Sequence, residues 1–252
     1  MITIAIVNRR GGVGKTATAH ALGAGLQRKG YKVLFIDLDS QANLTYDTGA
    51  IAGSYTSMDL LRGTATIDQI IASTSREDVI PASPNLSAAD ILITETGKEY
   101  RLKEALEPVS ERYDYIVIDT PPALGTITTN ALTAATTAII PAQAEIHSLQ
   151  GIGLLNESIS AVRKYTNSSL SVDGILLTRY NGRSIISKDM RDNLESIAVA
   201  LRTQVYKVPI RECVSIKEAQ AQQQDIFTYA PRSNAAKDYT VFIDDFLSRN
   251  RP

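Results

Sequence analysis

A chain of 252 residues, 44% hydrophobic and 21% charged with a formal net charge of −1, is long enough to bury a full core and carries no global sign of nucleic-acid or membrane attraction. Its one cysteine, Cys213, excludes an intrachain disulfide and a cysteine-built metal cage, and is expected as a small packed residue in a reducing compartment. Met1 leads directly into an apolar run, so the expectation is one domain spanning 1–252, cytoplasmic, with no signal peptide, transit peptide or N-terminal DNA-reading domain.

Apolar, β-branched runs at 3–7, 32–37, 115–119, 138–141, 174–178 and 204–208 are expected as strands. Helical patterns at 16–29, 101–112, 126–136, 149–165, 187–201 and 234–248 alternate with them. Near-continuous hydrophobic runs suit strands buried on both faces. The alternation predicts an α/β fold, a mostly parallel twisted sheet flanked by helices and built from right-handed βαβ units. Ligands of such sheets bind at the C-terminal ends of the strands.

The first strand–loop–helix junction reads Arg9-Arg10-Gly11-Gly12-Val13-Gly14-Lys15-Thr16. A glycine-rich loop lets backbone N–H groups close around a phosphate chain, and the helix behind it points its positive end at the same place. Lys15 is placed to reach the β and γ phosphates and Thr16 to offer its hydroxyl to Mg²⁺. The common P-loop has glycine where Arg9 stands, so the loop is a variant.

Two later strands end in acids beside this loop. The run Val33 to Ile36 continues into Asp37-Leu38-Asp39-Ser40-Gln41, two alternating carboxylates that serve equally well to cap a turn or to stand near Mg²⁺. The run Tyr115-Ile116-Val117-Ile118-Asp119 ends in a single acid, the form of a Walker B aspartate, and Thr120-Pro121-Pro122 stops the strand.

These stretches resemble the deviant Walker A ATPases of the ParA/Soj and MinD group, in particular the short ParA-type partition ATPases, over nearly the whole chain. Members of that family carry Lys-Gly-Gly-x-Gly-Lys-Thr, Asp-x-Asp-Pro-Gln and Asp-x-Pro-Pro where this chain has Arg10 to Thr16, Asp37 to Gln41 and Asp119 to Pro122. The stretches from Val208 to Glu212, from Lys217 to Ala219 and from Tyr229 to Pro231 look like the family's adenine-side loop and the segment after it. The resemblance implies a P-loop NTPase that hydrolyses ATP with Mg²⁺. Gly11, Gly12, Val13, Gly14, Lys15, Thr16 and Ala17 would cradle the phosphates, with Pro209 and Arg211 on the adenine side. Thr16, Asp39 and Asp119 would serve the metal, Asp39 would also position or activate the attacking water, and Asp37 would act as a structural and metal-side partner. It further implies an ATP-dependent homodimer in which the residue at Arg10 reaches the other subunit's nucleotide as a catalytic group, together with stimulation by a ParB-type centromere-binding protein.

Arg10 and Ser40 depart from the family pattern. Arg10 keeps the charge of the usual lysine but presents a planar fork of donors, and Ser40 replaces a proline and frees a backbone N–H. Binding of double-stranded DNA without sequence preference, and hence a nucleoid-associated location, is also implied by the family. Residues 1–150 carry 12 basic and 16 acidic side chains while residues 151–252 carry 14 and 11, so the basic surplus is C-terminal. Arg183, Lys188, Arg191, Arg211 and Lys217 are the candidate phosphate contacts, Arg183 first, although each alone reads equally as part of a solvated face.

His20 and His147 have no neighbouring ligands in sequence and are expected to pack or hydrogen-bond rather than bind metal. Two other functions remain open. A MinD-like membrane-cycling regulator needs a C-terminal amphipathic helix with a basic face, whereas 238–252 contains Asp244 and Asp245, and no membrane partner is expected. The metabolic class comprises P-loop ligases and the nitrogenase iron protein, and the latter needs cluster cysteines that one cysteine cannot supply.

Overall fold

The structure is a computed structural model that describes residues 1–181 and 185–252, with side chains described for all of these except 146–150 and 185–192. Seven strands form one sheet: β1 (Ile2–Ile6), β2 (Val33–Asp37), β3 (Ala72–Ser73), β4 (Asp78–Ile80), β5 (Tyr115–Asp119), β6 (Thr137–Ala142) and β7 (Ser171–Leu177). Their order is β3-β4-β2-β5-β1-β6-β7, parallel throughout except for β3, which runs antiparallel to β4 at the edge. The helices are α1 (Lys15–Arg28), α2 (Asn43–Asp47), α3 (Ser57–Arg62), α4 (Ile67–Ile70), α5 (Ala89–Leu92), α6 (Arg101–Leu106), α7 (Thr126–Ala134), α8 (Ile146–Tyr165), α9 (Ile185–Ala200), α10 (Val214–Ala221), α11 (Ile226–Tyr229) and α12 (Asn234–Arg249).

Both faces of the sheet are covered, and the period-2 alternation of the strands divides their side chains between two cores. Ala5, Leu34, Ile36, Ile116 and Ile118 pack on one side. Ile4, Ile6, Val33, Phe35, Tyr115 and Val117 pack on the other, against α1 and α12. Helix α1 approaches closely because it carries two glycines: a Cβ at Gly23 would collide with the buried Phe35 ring, and one at Gly25 with Ile243 of α12.

Most expected elements are present, with shifted ends. The helix expected at 101–112 stops at Leu106, where Pro108 removes a donor and the chain tightens into a 3-10 turn at Glu107–Val109. The strand expected at 204–208 is not one. Val205 makes a single bridge to Ile175, and Pro209 and the left-handed backbone of Arg202 leave no room for a ladder. The short β3 and β4 and the eight-residue α10 lie below the length at which periodicity is readable.

Candidate functional site

Five adjacent strands, β2, β5, β1, β6 and β7, deliver polar residues from their C-terminal ends to one edge of the sheet. After β1 the chain turns through Gly12 at φ 76° and Gly14 at φ 82°, left-handed conformations that favour glycine, and enters α1 directly at Lys15. No acidic residue stands in the first turn of α1, so its positive end is free to meet an anion. Asn8 ties the loop to its neighbours: its Nδ2 donates to the Pro141 carbonyl at 2.6 Å and its Oδ1 accepts the Arg10 N–H at 3.0 Å.

Lys15 is buried and donates its Nζ to the Arg10 carbonyl at 3.2 Å. Burial lowers its pKa, against the pull of Asp119 and Asp39. The register of β2 and β5 sets Asp37 level with Asp119, so two carboxylates share one buried layer. Asp37 is saturated by donors: Oδ1 accepts the Asp39 N–H at 3.0 Å, and Oδ2 accepts both the N–H and the hydroxyl of Thr45 at 2.8 Å. Burial nevertheless pushes it up to about 6. It anchors the turn into α2, which fits a structural partner rather than a reacting group. On the same turn Asp39 accepts the Gln41 N–H at 3.0 Å and borders the cavity described below.

Asp119 differs from Asp37. Its Oδ2 accepts the Thr16 hydroxyl at 2.6 Å, but its Oδ1 is buried with no hydrogen-bond partner among the described residues. Burial, and then the neighbouring Asp37, raise its pKa well above the usual carboxylate value. A buried carboxylate oxygen with an open lone pair, beside a hydroxyl, is the hard-oxygen donor set that Mg²⁺ takes, and such a cation would restore the ionised form. Thr16 and Asp119 therefore fit this metal, with Asp39 at the cavity wall beside them.

A cavity of about 770 Å³ opens over these groups. Gly11, Gly12, Gly14, Lys15, Thr16, Ala17 and Asp39 line it, while Val13 is buried beneath the loop and Asp119 beneath Thr16. On the far side the wall is formed by Ile210, Glu212, Cys213, Ile216, Lys217 and Gln220. Pro209 and Arg211, expected on the adenine side, are not among the lining residues. The Arg211 guanidinium is spent on Asp238, with contacts of 2.6 and 2.9 Å, and the Arg211 N–H joins the same carboxylate at 3.0 Å. Cys213 is half-buried, lining the cavity wall while packing against the core on the α1 side of the sheet, with Sγ 2.8 Å from the Ser215 hydroxyl.

Arg10 is placed outside the cavity wall, paired with Glu145 of the same chain at 2.5 Å. Among the expected DNA contacts, Lys217 is exposed at the cavity, Lys188 and Arg191 lie on α9 with side chains outside the described residues, and Arg183 lies outside the described residues altogether. The side chain of His147 also lies outside them. His20 is buried against Glu77 at 3.0 Å, and no cluster of three metal-binding side chains occurs among the described residues. Gln143 and Thr178 reach the P-loop from the ends of β6 and β7; nothing local in the sequence marks them, because their partners lie 131 and 165 residues away.

Residues 1–172 match the model of a family described as AAA domain. The chain is 40% identical over 241 residues to the sporulation initiation inhibitor protein Soj of Bacillus subtilis, covering 94% of each chain. It is 34% identical over 251 residues to the chromosome-partitioning ATPase Soj of Treponema pallidum, covering 98% of each. Among solved structures it is similar to cobyrinic acid a,c-diamide synthase from Mycobacterium smegmatis with bound ATP analogue and magnesium, at 31% identity and a TM-score of 0.85 over 100% of this chain and 98% of that one. A parallel sheet of this order, a glycine loop feeding α1 and this breadth of similarity lead to one conclusion: the chain belongs to the AAA-domain family of P-loop proteins and, within it, to the ParA/Soj-type ATPases.

Proposed function

We propose that this protein is a DNA-partition ATPase: an ATP-driven switch that pairs into a sandwich dimer, binds double-stranded DNA without sequence preference, and is released when a ParB-type partner stimulates hydrolysis. The observation that carries the ATPase half is the buried, unpartnered Asp119 oxygen beside Thr16 under the P-loop. The partition half rests on the likeness to Soj, whose Treponema pallidum member is named as chromosome-partitioning.

The residues divide the work by position. The P-loop N–H groups and the N-terminus of α1 bind the phosphates, and Lys15 exchanges its hold on the Arg10 carbonyl for a phosphate oxygen. Thr16 and Asp119 would hold Mg²⁺, which would supply charge neutralisation on the phosphates. Asp39, at the cavity wall, orients the attacking water, and Asp37 fixes the turn that carries Asp39. Arg10 serves the partner subunit's nucleotide and must leave Glu145 to do so; both side chains are part-exposed, so this ion pair holds it only weakly. The C-terminal basic surplus, including Lys188 and Arg191 on α9, supplies the DNA-phosphate contacts, in a cytoplasmic, nucleoid-associated protein.

A second reading, a metabolic P-loop ligase, draws on the likeness to the Mycobacterium smegmatis synthase. Duplex DNA binding measured with ATP, with ADP and without nucleotide separates the two. Binding that requires ATP supports partition, and DNA binding absent in all three states overturns it.

A further inference from the structure

The glycines that let the P-loop bend also leave its peptide planes free to rotate unless something outside the loop fixes them. Two side chains do this. Gln143, one residue past β6, donates its Nε2–H to the Gly12 carbonyl at 2.9 Å. Thr178, one residue past β7, donates its hydroxyl to the Val13 carbonyl at 2.7 Å. Thr178 is 3% exposed and its bond is buried, while Gln143 is 9% exposed and its bond to the exposed Gly12 is part-buried, so the Thr178 bond is the better shielded from water. Thr178 is itself anchored, since its N–H donates to the Ala142 carbonyl at 2.8 Å and joins the two strand ends.

A peptide unit is planar and trans, so its C=O and N–H point in opposite directions. Holding the Gly12 carbonyl against Gln143 turns the Val13 N–H the other way, and holding the Val13 carbonyl against Thr178 does the same for the Gly14 N–H. Gly12 and Gly14 border the cavity, and neither of these two N–H groups meets a protein acceptor among the described residues. We infer that Gln143 and Thr178 are positioning residues for ATP turnover: each sets one peptide plane of the P-loop, so that the N–H groups of Val13 and Gly14 stand ready for phosphate oxygens before the nucleotide arrives. Such bonds to a charged phosphate are stronger than neutral ones, and a cradle already in place loses no ordering entropy on binding. The inference rests on phosphate binding at this loop, not on DNA partition, and its test contains no DNA.

Thr178→Val deletes the hydroxyl at constant shape, Gln143→Met deletes the donor at similar length, and Thr178→Ser restores the hydroxyl. The dissociation constant for Mg²⁺-ADP is expected to rise about tenfold in the first two and to stay within about twofold of wild type in Thr178→Ser. Amide NMR separates positioning from general loosening. On adding Mg²⁺-ADP, the Gly14 N–H resonance should lose its downfield shift in Thr178→Val while Val13 keeps its own, and the reverse should hold in Gln143→Met. If a folded Thr178→Val or Gln143→Met protein binds within twofold of wild type, if both amides shift as in wild type, or if Thr178→Ser fails to rescue binding, the assignment is overturned.

Discussion

Asp37, Asp39 and Asp119 are chemically identical side chains at the ends of neighbouring strands, and their surroundings give them three different duties. Three donors saturate Asp37, one holds Asp39 at the cavity wall, and one leaves half of Asp119 open. Asp39→Ala should therefore keep Mg²⁺-ATP affinity near wild type while turnover falls by about 10²-fold or more, as measured by steady-state hydrolysis and equilibrium binding. Wild-type turnover would remove Asp39 from the mechanism. Asp119→Asn keeps an acceptor for the Thr16 hydroxyl but removes the buried charge. At pH 8 the metal-free variant should be more stable by about 1–3 kcal/mol in urea unfolding, and yet hydrolytically dead. A less stable variant would show that the Asp119 carboxylate stabilises the fold rather than serving the metal. The alternation of the first two acids, and the single acid on β5, were readable from the sequence as strand-end carboxylates. Their different burial and bonding were not, because they depend on the register of β2 against β5 and on Thr45 of the helix that follows.

Among the elements, α1 carries the tightest constraint. Alanine normally gains about 1 kcal/mol over glycine inside a helix, whereas overpacking a filled core costs about 1–3 kcal/mol. Because the Phe35 ring that a new Cβ would strike is fully buried and has nowhere to move, packing prevails. Gly23→Ala should thus lower the urea midpoint despite its better helix propensity, and an unchanged or raised midpoint would show that α1 can slide on the sheet. The long buried strands and the P-loop junction announced themselves by hydrophobic runs and glycine spacing. Elements whose identity lies in tertiary contacts did not. The segment at 204–208 has strand composition but, among the described residues, makes only an isolated bridge to Ile175, and α10 is too short and polar to read, although it forms one wall of the cavity. Arg211, expected as a ligand or DNA contact, is committed to Asp238 on α12, a pairing invisible from either residue's neighbours.

On the scale of the whole molecule, four buried groups around α1 and its sheet bind protons more tightly folded than unfolded. Burial raises Asp37 to about 6 and also raises Asp47 and Asp119. Burial opposes the charged form of His20, but the hydrogen bond and charge of Glu77, with Asp47 and Asp225, prevail and raise it too. For every one of these groups the folded pKa exceeds the unfolded one, so the stability it contributes is complete below the unfolded value and is lost as pH rises through the folded value. The carboxyl window opens near pH 4, and Asp37 closes its share at about 6; His20 extends the decline above the ~6.5 of free imidazole. Metal-free, nucleotide-free protein should therefore show a urea midpoint that falls steadily from pH 5 to pH 7.5, by roughly 1–3 kcal/mol in unfolding free energy. A midpoint that rises over this range would contradict the assigned shifts.

Sedimentation velocity with Mg²⁺ and a nonhydrolysable ATP analogue reads most directly whether triphosphate assembles the dimer through Arg10. The wild-type protein should sediment as a dimer with the analogue and as a monomer with ADP. Arg10→Ala should bind the analogue with near wild-type affinity and remain a monomer, because only the second subunit's phosphates need the missing cation, while Arg10→Lys should dimerise. A stable Arg10→Ala dimer, or an Arg10→Ala monomer unable to bind the analogue, would contradict the trans-acting switch.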